Sequence, residues 1–307
     1  MLIRKRIPVR MVVGGTWHEL LLAAGITVGT FIADKYLANS DLTFPPVIPT
    51  LLGTALAFFI GFTNSQAYDR WWEARTVWGA LTNESRSWAR DCVYHIGGDD
   101  GHAERMVLRH IAFVYALKAS LRGYPEARFE YEAAGYLSDD EFAALRAKRN
   151  MHNALLDWQS RDLEMLRVGG RIDGFKFLAL DERIVRLCDE MGKSERIRNT
   201  VFPPTYNYYT RVFVWVFIAC LTVVLSTSVG VVGILLAFVV GYVFLVTQGI
   251  GMTLLNPFAP TMFGTPLDQI SRTIEINLRS RLGEADLPAA LRESGAALLL
   301  IRDPKPK

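Results

Sequence analysis

Residues 212–246 read VFVWVFIACLTVVLSTSVGVVGILLAFVVGYVFLV, a run of 35 residues without a charged side chain. No Asp, Glu, Lys or Arg follows until Asp268. One helix needs about 20 apolar residues to cross roughly 30 Å of hydrocarbon, so this run has room for two membrane spans. Polar residues at 226–228 and Gly230 supply the turn between them. A soluble protein would have to bury an all-apolar helical hairpin completely, so we predict a membrane protein.

The N-terminal part of the chain repeats this pattern. Between Glu19 and Asp69 the charged residues form one short group at 34–41. This group separates an apolar helix at 20–38 from a second apolar helix at 47–62. The sequence therefore predicts four membrane spans.

Two aromatic residues, Trp17 and Tyr36, bracket the first of these helices, as expected for anchors at the two membrane interfaces. A secretory signal peptide is the alternative interpretation, because basic residues at 4–10 precede the apolar run. No convincing small-residue cleavage site follows the run, which favours a membrane span.

The orientation of the spans follows from the basic residues. Four of them precede the first span, Lys35 alone lies between the first two spans, and none lies between the last two. The positive-inside rule then predicts a multi-pass protein of the cell (inner) membrane with both termini in the cytoplasm. The predicted parts are a cytosolic N-terminal segment at 1–18, two spans at 19–68, a cytosolic helical region at 69–210, two spans at 211–253 and a cytosolic C-terminal helix and tail at 254–307.

The polar middle region favours helices and lacks strand patterns, so the predicted fold class is all-α. No proline interrupts residues 69–96, so the second span should continue as one helix into the cytoplasm until the glycine-rich turn at 97–101. The residues Ser138–Glu141 match a capping box. At 265–268 the sequence Thr-Pro-Leu-Asp predicts a helix with Thr265 as its N-cap and a proline at its first position.

The sequence lacks the patterns of catalysis. The five histidines never occur in zinc-binding spacing, the three cysteines stand alone, and no glycine-rich nucleotide loop is present. A formal net charge of +3 excludes a nucleic-acid protein driven by bulk charge. We predict no catalytic residue, no metal site and no cofactor, and hence not an enzyme.

The second span carries a stripe of three residues at helical spacing, Thr54, Phe58 and Phe62. Two interpretations stay open from spacing alone. The stripe can pack against a neighbouring span of the same chain. It can also form a hydrophobic constriction that gates ions by dewetting, which requires several copies of the chain around an axis.

Residues 58–75, FFIGFTNSQAYDRWWEAR, resemble the bestrophin family in its bacterial branch. Three later segments agree with this resemblance in the same order: Glu195-Arg196-Ile197 followed by Pro203-Pro204-Thr205-Tyr206, then Asn256-Pro257-Phe258, then Pro266-Leu267-Asp268 through Ile274-Glu275. The resemblance extends over most of the chain.

The resemblance implies a homopentameric ion channel with one axial pore. It places Thr54, Phe58 and Phe62 in a narrow neck, with Thr54 as a departure from the usual bulky apolar ring. It also places a cytosolic aperture at Phe202, with Val201 as the alternative. Further family-motif residues, expected to hold helices and subunits together, are Asn64, Tyr68, Asp69, Arg70, Trp71, Trp72, Glu73, Arg75, Asn256, Pro257, Phe258 and Asp268.

Calcium gating of animal bestrophins depends on an acidic run after the Asn-Pro-Phe triplet. Here no carboxylate lies between Phe258 and Asp268. Since hard cations need several oxygen ligands with charge among them, we predict no calcium clasp.

The leading functional hypothesis is a channel for small monovalent ions, with chloride or other anions as the family expectation. A cation-conducting channel is the alternative within the class, because no basic residue lies on the second span above Asp69. A membrane-anchored helical sensor or scaffold is the alternative from a different class. The predicted partners are further copies of the chain, the lipid bilayer and the permeant monovalent ions.

Overall fold

The computed structural model describes residues 9–37, 45–98, 101–200, 203–261 and 263–291, with the backbone alone at 9–13. Within these ranges the regular structure is helical, as the sequence predicts. The α-helices are α1 (Val9–Leu37), α2 (Val47–Asp91), α3 (His102–Arg122), α4 (Glu126–Ala133), α5 (Asp139–Arg146), α6 (Met151–Val168), α7 (Gly174–Asn199), α8 (Pro204–Val229), α9 (Val231–Leu254) and α10 (Leu267–Arg281).

The described residues fall into two compact units. The first, called the span unit here, comprises residues 9–71 and 203–256. The second, called the helical body, comprises residues 72–200 and 257–291. Helix α2 begins in the span unit and continues into the helical body without a break, as the absence of proline predicts.

Four helices are long and apolar enough to cross a membrane, which confirms the prediction of four candidate spans. They are Gly14–Tyr36, Val47–Ile96, Pro204–Val229 and Val231–Leu254. The last two are joined at Gly230, whose φ of +62° is a left-handed conformation that favours glycine. The turn between the last two spans therefore lies at Gly230, the last residue of the stretch in which it is predicted.

The span unit is held together by a small apolar core. Helix α2 contributes Leu56 and Ile60, one turn apart. The other spans contribute Ala23 from α1, Val214, Phe217 and Ile218 from α8, and Leu245 from α9. Close approach of α9 to α8 requires Gly241, where a Cβ atom would lie 2.6 Å from the Ile218 side chain.

The helical body is organised around α3, whose residues 106–119 are buried at nearly every position. Helices α4, α6, α7 and α10 pack against α3. The part of α2 in this unit contributes Trp78 and Trp88, which are fully buried. A helix that is covered on all sides can serve as the centre of an all-α body.

One helix start agrees with the sequence and another differs. The capping box at Ser138 is confirmed, because its hydroxyl accepts from the Glu141 N–H at 3.3 Å and the Glu141 carboxylate accepts from the Ser138 N–H at 3.0 Å. Helix α10 begins at Leu267 without a side-chain cap, so the prediction of Thr265 as N-cap is wrong. The Thr265 N–H instead donates to the Pro257 carbonyl at 2.7 Å, which holds Thr265 in the preceding loop.

Buried charges in the helical body are paired. Arg109 on α3 is 1% exposed, and its guanidinium lies 2.5 Å from Glu141 and 2.6 Å from Asp162. Burial raises the pKa of Glu141, but the Ser138 N–H and the Arg109 guanidinium outweigh it and leave that pKa below its ordinary value. Arg109 thus ties α3 to α5 and α6 through two carboxylates.

Replacing this arginine should destabilise the helical body. Arg109→Met leaves two carboxylates without their buried partner and should lower the free energy of unfolding by about 3–5 kcal/mol. Arg105→Met is the matched control. Arg105 lies on the same helix as Arg109 and 3.5 Å from Glu141, but its side chain is half-exposed. That change should cost less than about 1 kcal/mol. Thermal unfolding followed by circular dichroism compares the two, and equal losses would contradict the role of Arg109.

Candidate functional site

Helix α2 has two opposite faces within the span unit. At about 100° per residue, Leu56, Ile60, Thr63 and Ala67 share one direction, and all four are buried. Thr54, Phe58 and Phe62 point away from this direction.

The side chains of this second stripe are uncovered in one copy of the chain. Phe58 is 72% exposed and Phe62 is 50% exposed. Thr54 is also exposed. The interpretation in which the stripe packs against a neighbouring span of the same chain is therefore wrong for the described residues.

Hydrogen bonding determines what Thr54 presents to its surroundings. Its hydroxyl donates to the Thr50 carbonyl at 2.9 Å, one turn back along α2. The Thr50 hydroxyl donates to the Pro46 carbonyl in the same way, also at 2.9 Å. Since each proton returns to its own helix, Thr54 offers a methyl group and oxygen lone pairs but no free donor.

A cluster of uncharged polar side chains fastens α2 to α8 and α9. The Asn64 amide donates to the Thr247 carbonyl at 3.2 Å, and the Gln248 amide donates to the Asn207 side chain at 3.0 Å. Three of these residues, Asn64, Asn207 and Gln248, line a small pocket together with Ile60, Thr63, Tyr206 and Thr210. Asn64, predicted from the family motif, thus lies at a contact between spans.

The start of α8 also touches α2 at Phe59, between Phe58 and Phe62. The Tyr206 hydroxyl donates to the Phe59 carbonyl at 3.4 Å. The two rings meet edge to face, with their centres 6.0 Å apart. These contacts fix the position of α2 at the level of Phe58 and Phe62.

Glycine 251 allows α9 to approach Asn64 closely. A Cβ atom at Gly251 would overlap the Asn64 side-chain oxygen. Gly251→Ala should therefore push α9 away from α2 and lower the free energy of unfolding by about 1–3 kcal/mol. Gly249→Ala is the control, because nothing lies within 4 Å of a Cβ atom there. Thermal unfolding in detergent should separate the two variants, and equal midpoints would contradict the contact.

The motif block at 68–75 is divided between the two units. In the span unit the Tyr68 and Trp71 rings lie 5.8 Å apart, and Asp69 is exposed. Arg70 is half-buried, as are Trp71 and Arg75. In the helical body Glu73 forms an ion pair with Arg196 of the Glu195-Arg196-Ile197 segment. Trp72 is 56% exposed.

Phe258 joins the apolar core of the helical body, and Asp268 of the last motif segment meets α3 and α4. Phe258 is fully buried, Pro257 is buried and Asn256, at the end of the span unit, is exposed. Three basic residues lie near the Asp268 carboxylate: Lys118 at 3.2 Å, Arg122 at 3.5 Å and Arg128 at 3.6 Å. Sequence reasoning missed this group, although Lys118 in the apolar stretch 111–121 signals a buried partner.

The loop between α9 and α10 is held in place by hydrogen bonds to its backbone. Besides the Thr265 bond to Pro257, the Arg122 guanidinium donates to the Thr265 carbonyl at 3.3 Å.

Among the residues that the structure describes, no group of His, Cys, Asp or Glu has the arrangement of a metal site. The predicted aperture residue Phe202, with its alternative Val201, lies outside the described residues.

The family model described as Bacterial/Fungal Bestrophin protein matches residues 7–280. The chain belongs to the bestrophin family. This membership confirms the resemblance seen in the motifs. Because bestrophins are ion channels, it also confirms that the chain is not an enzyme.

Similar proteins agree with this assignment. The "Voltage-dependent anion channel-forming protein YneE" of Escherichia coli K12 is 28% identical over 273 residues, which cover 89% of this chain and 88% of the relative. The "Voltage-dependent anion channel-forming protein RSc3414" of Ralstonia nicotianae is 31% identical over 242 residues, 78% of each chain. The crystal structure of a bacterial bestrophin homologue from Klebsiella pneumoniae has the same fold, with a TM-score of 0.81 and 24% identity over 88% of this chain and 99% of that one.

Proposed function

We propose that this bestrophin is the subunit of a homopentameric channel that conducts small monovalent ions, chloride and other anions in particular. The ions pass a hydrophobic neck of Thr54, Phe58 and Phe62 and a cytosolic aperture at Phe202. The names of the relatives as anion channel-forming proteins support the permeant ion. The observation that carries the pore is the uncovered phenylalanine stripe on α2.

The uncovered stripe supports assembly around an axis. Phe58 and Phe62 face away from the other spans of their own chain, and one helix cannot enclose a pore. When copies of the chain repeat around an axis, each residue of the stripe forms a ring. The same arrangement covers the apolar side chains of the stripe. In the proposed topology the protein crosses the inner membrane four times, with its termini, residues 69–210 and residues 254–307 in the cytoplasm.

The rings differ in how they interact with water. Rings of Phe58 and Phe62 would form an apolar constriction that passes ions only when it is wetted. Thr54 keeps its oxygen lone pairs available, so the outermost ring is wetter than the two below it. The neck is therefore driest at its two phenylalanine rings.

A cation-conducting channel is the second candidate, and the hydrogen bonding of the neck favours it. From Thr54 to Phe62 no side chain is basic, and the Thr54 hydroxyl proton is already bound to its own helix. An anion passing the neck finds neither charge nor a side-chain O–H donor, so the neck does not select anions by these means. A membrane-anchored scaffold remains the alternative of a different class.

We also propose that calcium does not gate the channel. No carboxylate is available between Phe258 and Asp268, and the Asp268 carboxylate already has three basic neighbours. Basic side chains of the helical body thus already pair with the Asp268 carboxylate, the acid that follows the loop.

Recordings from planar bilayers test the channel and its neck. Purified protein across a tenfold potassium chloride gradient should carry a current whose reversal lies toward the chloride equilibrium potential. Phe62→Ala should widen and wet the neck and raise the single-channel conductance, on the order of twofold or more. Phe213→Ala, which removes an exposed phenylalanine from α8, is the control and should leave conductance unchanged.

Each outcome of the recording has a distinct meaning. Reversal near the potassium potential would establish the cation-conducting channel instead. Unchanged conductance in both Phe58→Ala and Phe62→Ala would overturn the neck. Silence from a monomer would favour the scaffold.

Assembly provides a separate test through Trp72. Trp72 is exposed in one copy of the chain, and tryptophan is enriched at interfaces between chains. Trp72→Ala should therefore break the pentamer before it alters selectivity. Tyr131→Ala, which removes an aromatic side chain 84% exposed on α4, is the control. Light scattering after gel filtration measures the mass, and intact pentamers of the Trp72 variant would contradict its role in assembly.

A further inference from the structure

We propose that Asp69 sets the ion selectivity of this channel, because its carboxylates form an acidic ring on the inner side of the neck. The ring draws cations toward the pore and weakens its preference for anions. The inference rests on the proposed pentameric pore and deepens it by naming the residue that decides between its two candidate ions.

The position of Asp69 follows from the geometry of a single helix. It lies eleven residues after Phe58 and seven after Phe62 on the unbroken α2. At about 100° per residue, these separations place Asp69 within roughly 20° of both phenylalanines around the helix axis. At about 1.5 Å per residue, it lies roughly 10 Å beyond Phe62 along the axis. Whatever axis the two phenylalanines face, Asp69 faces it as well.

The carboxylate of Asp69 is available to ions. Asp69 is exposed, and it has no ion pair or hydrogen bond with any residue that the structure describes. Other acids of α2 are paired: Glu73 with Arg196, and Glu84 and Asp91 with Arg183. Among the described residues, the Asp69 carboxylate is thus left without a partner on the stripe.

The neighbouring basic residue does not neutralise this stripe. Arg70 follows Asp69 directly, but one residue turns the side chain about 100° around the helix, toward the buried face. Arg70 is accordingly half-buried. The sequence from Thr54 to Tyr68 holds no charged residue, so Asp69 is the first fixed charge that an ion meets after entering the neck.

Repetition makes this charge strong. Five carboxylates around a narrow pore with apolar walls focus the electric field and concentrate counter-ions. Acidic rings of this kind select for cations. The Debye length at physiological ionic strength is about 8 Å, comparable to the distance from Asp69 to Phe62, so ions leaving the neck feel the ring. A neck without charge cannot offset it.

Reversal potentials of matched variants test the proposal. Across a tenfold potassium chloride gradient, Asp69→Asn should raise the permeability ratio of chloride to potassium by roughly threefold or more. Asp69→Glu keeps the charge and should keep the wild-type ratio. Asp157→Asn removes an exposed acid from α6 and controls for the loss of negative charge elsewhere. Gel filtration of each variant confirms assembly before recording.

A second measurement needs no variant. Salt screens a fixed ring, so the wild-type ratio of chloride to potassium permeability should rise when both solutions are made about tenfold more concentrated. A wild-type ratio that is independent of ionic strength would overturn the proposal, even if Asp69→Asn failed to assemble.

The outcomes separate this proposal from the one on which it rests. Conducting Asp69→Asn channels with the wild-type reversal potential would overturn the role of Asp69 and leave the channel intact. An equal shift in Asp157→Asn would also count against it. A wild-type protein that is pentameric but never conducts would contradict the channel itself.

Discussion

Burial of one stripe of α2 against α1, α8 and α9 determines where every other side chain of that helix points. Leu56 and Ile60 lie in the apolar core of the span unit, with Thr63 and Ala67 buried on the same side. A helix is a rigid rod over such a length, so this one contact surface leaves Phe58 and Phe62 on the opposite side. The polar contacts of Asn64 and Tyr206 then fix the helix at that level.

The same helix carries the chain into the helical body, where paired buried charges add to the apolar packing. Arg109 and Lys118 are each 1% exposed and lie among carboxylates. Glu275 on α10 accepts hydrogen bonds from Tyr115 and Tyr136. Burial, together with this carboxylate, raises the pKa of both phenols, so they remain donors. Such networks are stable because every buried charge has a partner, and they fix the relative positions of α3, α4, α5, α6 and α10.

These two kinds of packing leave α2 with unequal faces along its length. The stripe of Thr54, Phe58 and Phe62 is neutral, and the paired acids of α2 belong to the helical body. Asp69 falls between these regions, beyond Phe62 and before Glu73, the first acid of the helix with an ion pair. In the proposed channel, a charged ring next to a neutral constriction would separate two tasks. The neck would control whether ions pass, and the ring would control which sign of ion accumulates.

The sequence by itself determined the properties that depend on neighbouring residues. Hydrophobic length predicted the four spans, the missing prolines predicted the continuous α2, and the spacing of Ser138 and Glu141 predicted a capping box. Periodicity also placed Thr54, Phe58 and Phe62 on one stripe, and the motifs identified the family. Each of these is a local property, set within a few turns of chain or matched along it.

Only the tertiary structure decided what each surface touches. Spacing alone left the stripe of α2 open to either interpretation, because exposure depends on where α8 and α9 lie. Helix α10 begins at Leu267 with Pro266 before it, so Thr265 lies one residue outside the N-cap position. Its N–H bonds to Pro257, eight residues away, in a loop that the local pattern does not reveal. The partners of Lys118 and Arg109 lie far along the chain, and long-range pairing is set by the packing of helices rather than by any local sequence.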